Sequence, residues 1–166
     1  MIIQIDTREK EQAIEKIRLE FEKRRIQTIR SKMYVGDYMA LENPFLVIDR
    51  KQTIQELAEN ATTSHDRFKR ELHRMDEIGA EMVVLIEQKR YTDIQGELMT
   101  VNDISDLMFW RNPYGEVDGI RVYKILATWQ ARHRVRFEFC RRDQTGRRIV
   151  EILEEGIEQR GIYKTP

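Results

Sequence analysis

The sequence predicts a three-layer α/β domain, in which helices cover both faces of a mixed β-sheet. Short apolar runs such as IIQI (residues 2–5) and MVVLIE (residues 82–87) are typical of strands buried on both faces. Longer segments carry apolar residues at helical spacing and are mixed with these strands along the chain. The chain has 166 residues, the usual size of one domain, so we expect residues 1–166 to form a single domain.

The first half of the chain contains five apolar runs and three amphipathic segments. The predicted strands are residues 2–5, 26–30, 33–41, 44–50 and 82–87, with the second and third meeting at Ser31-Lys32. The predicted helices are residues 9–25, a short helix with Thr53 as its N-cap, and residues 64–79, where Gly79 ends the helix. In the first of these helices, Ile14, Ile17 and Phe21 share one face.

The second half is predicted to contain three further helices and one strand. Helices are expected over residues 101–110 and 119–132, separated by the loop RNPYGEVDG. Val135, Phe137 and Phe139 alternate with polar residues, as in a half-buried strand. A last helix begins at Thr145 and carries apolar residues at helical spacing.

Composition and charge restrict the classes of function. Lys and Arg number 29 and Asp and Glu number 29, so the formal net charge is zero and no global field indicates a nucleic-acid partner. Residues 65–74 and 132–148 are nevertheless locally basic. The N-terminus lacks the layout of a signal peptide, and no apolar run approaches the length of a membrane span. We therefore expect a soluble, cytoplasmic protein without a membrane partner.

The cysteine and the histidines do not predict a zinc site. Cys140 is the single cysteine, which excludes a disulfide framework, and its place in the alternating stretch VRFEFC indicates a small buried hydrophobic residue. His65, His73 and His133 lack the tight spacing of zinc ligands. His65 has two interpretations, a surface histidine or a general base.

The most informative stretch is VGDYMALENPFLVIDRK, residues 35–51. Side chains alternate along a strand, so Asp49 and Lys51 point to one face and Arg50 to the other. If the neighbouring strand brings Asp37 close, two carboxylates share a small space and need a compensating cation. Mg²⁺ prefers such oxygen ligands, acidifies bound water and stabilises charge on a phosphoryl oxygen. This arrangement is suited to phosphodiester hydrolysis; the alternative is a solvated hairpin end.

The first predicted strand also ends in charged residues, Asp6, Arg8 and Glu9. Carboxylates at the ends of separate strands can converge at one edge of an α/β sheet, where such proteins place their sites. This second acidic segment therefore favours the metal site over the solvated hairpin end.

Five ordered motifs resemble the XPF-type nuclease domain of the restriction-endonuclease-like PD-(D/E)xK superfamily. They are IDTRE at residues 5–9, VGDY at 35–38, VIDRK at 47–51, HDRFKREL at 65–72 and VVLIE at 83–87. The resemblance implies a three-layer restriction-endonuclease-like core with a mixed central sheet, and the C-terminal half is similar to compact phage-type members. It also implies Mg²⁺ or Mn²⁺ as cofactor and branched or partly single-stranded DNA as partner.

The resemblance implies roles for residues of the second and third motifs. Asp37 and Asp49 would be the main metal ligands, together with the Arg50 carbonyl. Lys51 would be the catalytic lysine, which stabilises the transition state. The family has Glu where this chain has Asp49, which is one methylene shorter, so its reach to a metal depends on the position of the strand.

The resemblance also implies roles for residues around this centre. Asp6 and Glu9 would hold metal-bound water or a second ion, with Arg8 orienting them. The family tends to place an acid four residues after the lysine, where this chain has Gln55 with Glu56 next to it. Neighbours on a helix lie about 100° apart, so Glu56 has two interpretations, a site residue or an acid at a helix N-terminus.

Several basic and aromatic residues are candidates for contact with the substrate. The residues expected to bind it are Arg67, Lys69, Arg70, Arg111, Arg147 and Arg148. Trp110 and Tyr114 flank Arg111 at a proline turn, where they either complete a buried helix face or stack on an unpaired base. Thr145-Gly146 begins a helix and either caps it or receives a phosphate.

We therefore predict a Mg²⁺- or Mn²⁺-dependent DNA endonuclease that is selective for branched, flap or junction DNA in repair, recombination or replication. The main alternative is a catalytically silent DNA-binding or partner-docking module of the same fold. The chain retains Asp37, Asp49 and Lys51, which favours the enzyme. A nuclease acting on RNA or single strands is a second alternative. The resemblance also implies a homodimer, with the helix around Ile120–Trp129 and the last helix as the candidate surface.

Overall fold

A computed structural model of the chain describes residues 1–93, 95–112 and 117–161. In chain order the strands are β1 (Ile2–Ile5), β2 (Gln27–Arg30), β3 (Tyr38–Ala40), β4 (Asn43–Lys51), β5 (Glu81–Gln88), β6 (Tyr91–Thr92), β7 (Leu98–Met99) and β8 (Val135–Arg141). The helices are α1 (Glu11–Lys23), α2 (Ile54–Ala61), α3 (His65–Glu77), α4 (Gly119–Arg132) and α5 (Thr145–Gln159), with a 3₁₀ helix at Ile104–Phe109.

Six of the strands form a mixed sheet in the order β2-β1-β3-β4-β5-β8. β3 is antiparallel to both of its neighbours, whereas β1 with β2, and β4 with β5 and β8, pair in parallel. The carboxyl ends of five strands and the amino end of β3 therefore meet at one edge of the sheet. We call this edge the carboxyl edge; α/β proteins place their sites at such an edge.

Apolar clusters cover both faces of the sheet and produce the three layers. On one face α2, α3 and α4 contribute residues such as Leu57, Phe68 and Leu126. On the other face α1 and α5 contribute residues such as Ile14 and Ile149. Each fully buried side chain of this size contributes about 1.5–3 kcal/mol to stability. The predicted fold class, a mixed sheet between helical layers, is confirmed.

The strand predicted over residues 33–41 is wrong in its length and in its neighbour. Only residues 38–40 form β3, because Gly36 has φ +74, a left-handed conformation that does not continue a strand. A Cβ at Gly36 would lie 3.0 Å from Val47 Cβ, so glycine lets the chain approach β4 closely. β2 and β3 do not pair, because β1 lies between them.

The second half of the chain also differs from expectation. The helix predicted over residues 101–110 is a 3₁₀ helix that begins at Ile104, because Asp103 caps it through a hydrogen bond from the Ser105 N–H. The short hairpin of β6 and β7 was not predicted, since its two-residue strands carry no detectable alternation. In the described ranges, no helix is long and apolar enough to cross a membrane.

Candidate active site

The end of β4 presents a carboxylate and an ammonium on one face of the sheet. Lys51 Nζ lies 2.7 Å from Asp49 Oδ2 and 5.4 Å from the centre of the Phe68 ring on α3. Asp49 and Lys51 are only 4% and 7% exposed. Burial acts to lower the pKa of Lys51, but the negative charges of Asp49 and Asp37 outweigh it and raise that pKa. Lys51 therefore remains a cation at neutral pH.

Asp37 is brought to this pair by the turn at Gly36. Its N–H donates to the Ile48 carbonyl at 2.7 Å, and its Oδ2 accepts the Arg50 N–H at 2.8 Å. Burial, followed by the negative charge of Asp49, raises the pKa of Asp37 well above its usual range. The structure thus brings together Asp37, Asp49 and Lys51: the strand pattern predicted that the last two share a face, whereas Asp37 arrives from a turn rather than from a strand.

Glu71 is a third carboxylate at this position, and the sequence reasoning missed it. It lies on α3 three residues after Phe68, so the two share the helix face that points toward Lys51. Its Oε1 accepts the Gly36 N–H at 3.4 Å, and burial followed by the charge of Asp49 raises its pKa. The helical spacing places Glu71 on the face of α3 that carries Phe68, but only the packing of α3 brings that face to Lys51.

The residues present fit a divalent metal ion with few protein ligands. Among the described residues, no three His, Cys, Asp or Glu side chains converge closely enough to hold a metal by themselves. However, Asp49 Oδ2 is fully buried with Lys51 Nζ 2.7 Å away, and a carboxylate oxygen is the kind of ligand that Mg²⁺ prefers. Mg²⁺ keeps several waters and commonly takes only one or two carboxylates, with substrate phosphates completing its shell. Asp37 and Asp49 satisfy that requirement.

The opposite face of β4 carries charges that are already paired. Arg50 Nε lies 2.7 Å from Glu87 Oε1, and Arg50 Nη1 lies 3.0 Å from Glu9 Oε2. The Tyr38 hydroxyl donates to Glu9 Oε2 at 2.6 Å, and Thr145 Oγ1 donates to Glu87 Oε1 at 3.1 Å. Burial and then the charge of Glu9 raise the pKa of Tyr38, so its hydroxyl stays protonated. The Arg50 side chain therefore joins β4, β5 and α1 in one buried ion network.

Asp6 is fully buried at the end of β1, and both of its oxygens accept hydrogen bonds. Oδ1 accepts from the N–H and the Nε of Arg8, each at 2.7 Å, and Oδ2 accepts from the Met33 N–H at 2.6 Å. Burial acts to raise the pKa of Asp6, but these donors together lower it. Arg8 Nη2 also reaches the Gly36 carbonyl at 3.4 Å. Asp6 and Arg8 thus hold the segment that leads to Gly36.

Comparison with protein-family models matches residues 5–152 to the ERCC4 domain. The chain belongs to the ERCC4 domain family. Among solved structures it is similar to XPF from Aeropyrum pernix, with a TM-score of 0.65 and 17% identity over 93% of this chain and 64% of that chain. The same protein in complex with DNA matches with a TM-score of 0.64 and 16% identity over 95% of this chain and 66% of that chain. No curated protein matches by sequence.

The ERCC4 match supports an XPF-type nuclease domain, as the five motifs predicted. At identities of 16% and 17% the structural likeness establishes the fold. ERCC4 nuclease domains generally depend on a divalent metal. The chain spans 64% and 66% of the length of the two solved chains.

In this ERCC4 domain Glu56 has a local partner. Its Oε2 accepts the Gln52 N–H at 2.8 Å, and its own N–H donates to Thr53 Oγ1 at 3.0 Å. Glu56 thus binds the backbone just before α2 and is itself capped by Thr53, which explains an acid at this position without a role in the site. Gln55, where the family tends to have an acid, keeps a buried Oε1 without a hydrogen bond.

The candidate substrate residues divide into two groups. Arg67, Lys69 and Arg70 are exposed on α3, the helix that carries Phe68 and Glu71, and the described part of the chain provides no ion pair for them. Arg147 pairs with Glu151, and Arg148 is surrounded by carboxylates. The acids around Arg148 are Glu138, Glu151 and Glu155. Only the first group presents free positive charge next to the site.

The candidate features in the second half are mostly buried. Trp110 is 1% exposed, whereas Arg111 is exposed and Tyr114 lies outside the described residues. A Cβ at Gly146 would lie 3.1 Å from Ile17 Cα, so the start of α5 packs on α1 and leaves little space for a phosphate. Cys140 is buried as predicted, and burial raises the pKa of its thiol to about 11.

The histidines also have structural partners. His65 Nδ1 lies 3.1 Å from the Ala61 carbonyl, and its ring lies 5.3 Å from that of Trp129. His133 Nδ1 lies 2.6 Å from Asp76 Oδ2. These contacts favour the interpretation of His65 as a structural residue. Trp129 is itself 4% exposed, so within the expected dimer surface the exposed apolar residue is Ile120, at 47%.

Proposed function

We propose that this ERCC4 domain is a Mg²⁺- or Mn²⁺-dependent DNA endonuclease that hydrolyses phosphodiester bonds. The observation that carries the proposal is the convergence of Asp37, Asp49 and Lys51 at the carboxyl edge, with Lys51 Nζ 2.7 Å from Asp49 Oδ2. Two buried carboxylates beside a retained lysine form the chemical set that metal-assisted hydrolysis requires. A silent module would be expected to lack one of them.

The residues of the site have separate tasks in this proposal. Asp37 and Asp49 would hold the metal, which when bound supplies an acidified water and charge stabilisation at phosphorus. Lys51, kept protonated by its acidic neighbours, neutralises charge that develops on the phosphoryl oxygens. Glu71 adds a further carboxylate on the α3 side.

The remaining charged residues position this centre. Asp6 and Arg8 fix the segment before Gly36 through the three hydrogen bonds to the Asp6 carboxylate. The backbone N–H of Arg50 donates a hydrogen bond to Asp37 Oδ2 at 2.8 Å. The Arg50 side chain and Glu9 belong to the buried ion network. We assign Asp6, Arg8, Glu9 and Arg50 to positioning of the acids.

We also propose that the substrate is branched, flap or junction DNA, and that the protein acts as a homodimer in repair, recombination or replication. The unpaired cations Arg67, Lys69 and Arg70 on α3 lie beside the site and suit contacts to the backbone, which carry no sequence information. The family resemblance supports structure selectivity and dimerisation.

The direct test is cleavage of flap, fork, four-way-junction, single-stranded and linear duplex DNA with Mg²⁺, Mn²⁺ or EDTA. We expect metal-dependent cleavage by the wild type and a loss of about 10²–10³-fold in Lys51→Ala, the cost of removing one group that stabilises transition-state charge. Asp49→Asn should also lose cleavage, and Lys23→Ala, an exposed lysine at the end of α1, serves as the control.

The outcomes separate the proposal from its alternatives. Cleavage that survives both Asp49→Asn and Lys51→Ala would contradict the site assignment. Intact DNA binding without cleavage of any substrate would support the catalytically silent module instead. Cleavage of RNA alone would identify the RNA-directed alternative.

A further inference from the structure

A cleft of about 560 Å³ lies at the carboxyl edge, where β5 and β8 end and α1 passes. The charged residues that line it are Lys16, Lys89, Arg90, Arg141, Arg142 and Asp143. We call this the basic cleft, because five cations face one acid. None of these residues was predicted as a substrate contact, since they lie far apart in the sequence and no single motif unites them.

Most of the charge of the basic cleft is not neutralised by the protein. The side chains of Lys16, Lys89 and Arg90 are exposed and form no hydrogen bond or ion pair within the described part of the chain. Arg141 is held by Asp143 at 2.8 Å, and Arg142 Nε lies 3.5 Å from Glu87 Oε2 while 63% exposed.

Surface arginines elsewhere are commonly paired. Examples are Arg18 with Glu11, Arg24 with Glu20, Arg136 with Glu138 and Arg147 with Glu151. In a chain whose formal net charge is zero, a group of unpaired cations lining one concave surface creates a local positive potential. A concave surface focuses that potential and attracts a polyanion.

The basic cleft is close to the proposed catalytic centre. β4 and β5 are adjacent and parallel, and Lys51 pairs with Ile86, two residues before Gln88 in the cleft. Strand spacing and rise place the Cα atoms of Lys51 and Gln88 about 8 Å apart. A DNA strand cleaved beside Lys51 would therefore pass the mouth of the cleft within a few nucleotides.

We propose that the basic cleft binds the phosphodiester backbone of one DNA strand next to the scissile bond. Free Lys and Arg side chains on a concave surface suit a chain of phosphates, and a volume of about 560 Å³ accepts one backbone rather than a duplex. The inference rests on the proposed nuclease function and adds a second group of contacts to the cations of α3, on the other side of Lys51.

The test compares two double substitutions that remove the same charge. Lys89→Gln/Arg90→Gln alters the basic cleft, whereas Arg132→Gln/Arg134→Gln alters two exposed cations at the amino end of β8, on the opposite edge of the sheet. Binding of fluorescein-labelled single-stranded, forked and duplex DNA is measured by anisotropy in EDTA over a series of salt concentrations. EDTA prevents cleavage, so the binding measurement is independent of catalysis.

Each phosphate contact contributes about 0.9 to the slope of log K against log salt for duplex DNA and about 0.7 for single strands. Because the cleft variant removes two cations, we expect it to lower the slope by about 1.4 for single-stranded DNA and by about 1.4–1.8 for forked DNA, with at least a fivefold loss of affinity. The conservative variant Lys89→Arg/Arg90→Lys keeps both charges, so it should retain both the slope and the affinity. A purely structural effect of substitution would not explain that result. The Arg132/Arg134 variant should match the wild type.

An unchanged slope in the cleft variant, or an equal decrease in the Arg132/Arg134 variant, would overturn the inference. A decrease confined to duplex DNA would also overturn it, because the proposed occupant is a single backbone. If the wild type itself neither binds nor cleaves DNA, the nuclease proposal fails instead. If the wild type cleaves DNA but the cleft variant keeps the wild-type slope, the nuclease proposal stands. Only the proposed role of the basic cleft in DNA binding is then rejected.

Discussion

The two faces at the end of β4 carry similar charges in opposite states. On one face the carboxylates Asp37, Asp49 and Glu71 gather around Lys51, whose Nζ lies 2.7 Å from Asp49 Oδ2. On the other face Arg50 lies between Glu87 and Glu9, at 2.7 Å and 3.0 Å. Consecutive residues of one strand thus belong to an acid-rich centre and to a paired network.

This difference indicates how to separate catalytic charge from structural charge. A buried ion pair whose donors and acceptors are matched contributes to folding, and removing one partner leaves an uncompensated charge. A group of carboxylates with too few donors is instead destabilising until a cation arrives. We therefore expect substitutions on the acid-rich face to change metal binding. Substitutions on the paired face should instead lower the free energy of unfolding.

The largest effect is expected on the paired face. Arg50→Ala leaves the buried Glu87 and the partly buried Glu9 without this cation, so the free energy of unfolding should fall by about 3–5 kcal/mol. Chemical denaturation followed by circular dichroism measures it. Arg18→Ala, which removes an exposed arginine paired with Glu11, should cost no more than about 1 kcal/mol. Equal stability of the two variants would contradict the structural role of Arg50.

Much of the site was predictable because it depends on local alternation. The period of two along β4 placed Asp49 and Lys51 together and Arg50 opposite, and the structure has this arrangement. The order of the five motifs predicted the family, which the ERCC4 match over residues 5–152 confirms. The fold class followed from the buried character of the runs at residues 2–5 and 82–87.

What escaped prediction depends on contacts between distant elements. Glu71 reaches Gly36 only because α3 packs over β4, and the packing angle of a helix is not written in its own sequence. The insertion of β1 between β2 and β3 likewise depends on long-range pairing. Asp6 and Glu9 were predicted near the metal from their position, but their oxygens accept hydrogen bonds from Met33 N–H and Tyr38 respectively.

A smaller effect tests whether Glu71 belongs to the acid-rich face. Glu71→Gln removes one negative charge beside Asp49 while keeping the shape of the side chain, so Mn²⁺ or Mg²⁺ should bind about tenfold more weakly. Isothermal titration calorimetry measures the affinity without DNA. Glu56→Gln is the matched control, because Glu56 is held by hydrogen bonds to Gln52 and Thr53 at the start of α2 and its loss should leave metal affinity unchanged. Weakening in Glu56→Gln but not in Glu71→Gln would exchange the roles of the two acids.

The smallest effect concerns how much the acid-rich face lowers the free energy of unfolding of the metal-free protein. Burial and Asp49 raise the pKa of Asp37, so the folded protein takes up a proton there at higher pH than the unfolded chain. The stabilisation that protonated Asp37 contributes to the wild type is thus fully present below the unfolded pKa of about 3.9. It is lost as the pH rises through the raised pKa of the folded protein. Asp37→Asn carries no such charge.

In EDTA, Asp37→Asn should therefore be more stable than the wild type by about 1 kcal/mol at neutral pH. The advantage should shrink on acidification, because the wild type then becomes neutral at Asp37 as well. Urea denaturation at about pH 7.5 and about pH 5 measures both values. With Mg²⁺ the order should reverse, since the wild type alone gains metal binding. A variant that is less stable than the metal-free wild type at neutral pH would show that Asp37 is a paired structural acid, and the contrast between the two faces of β4 would then fail.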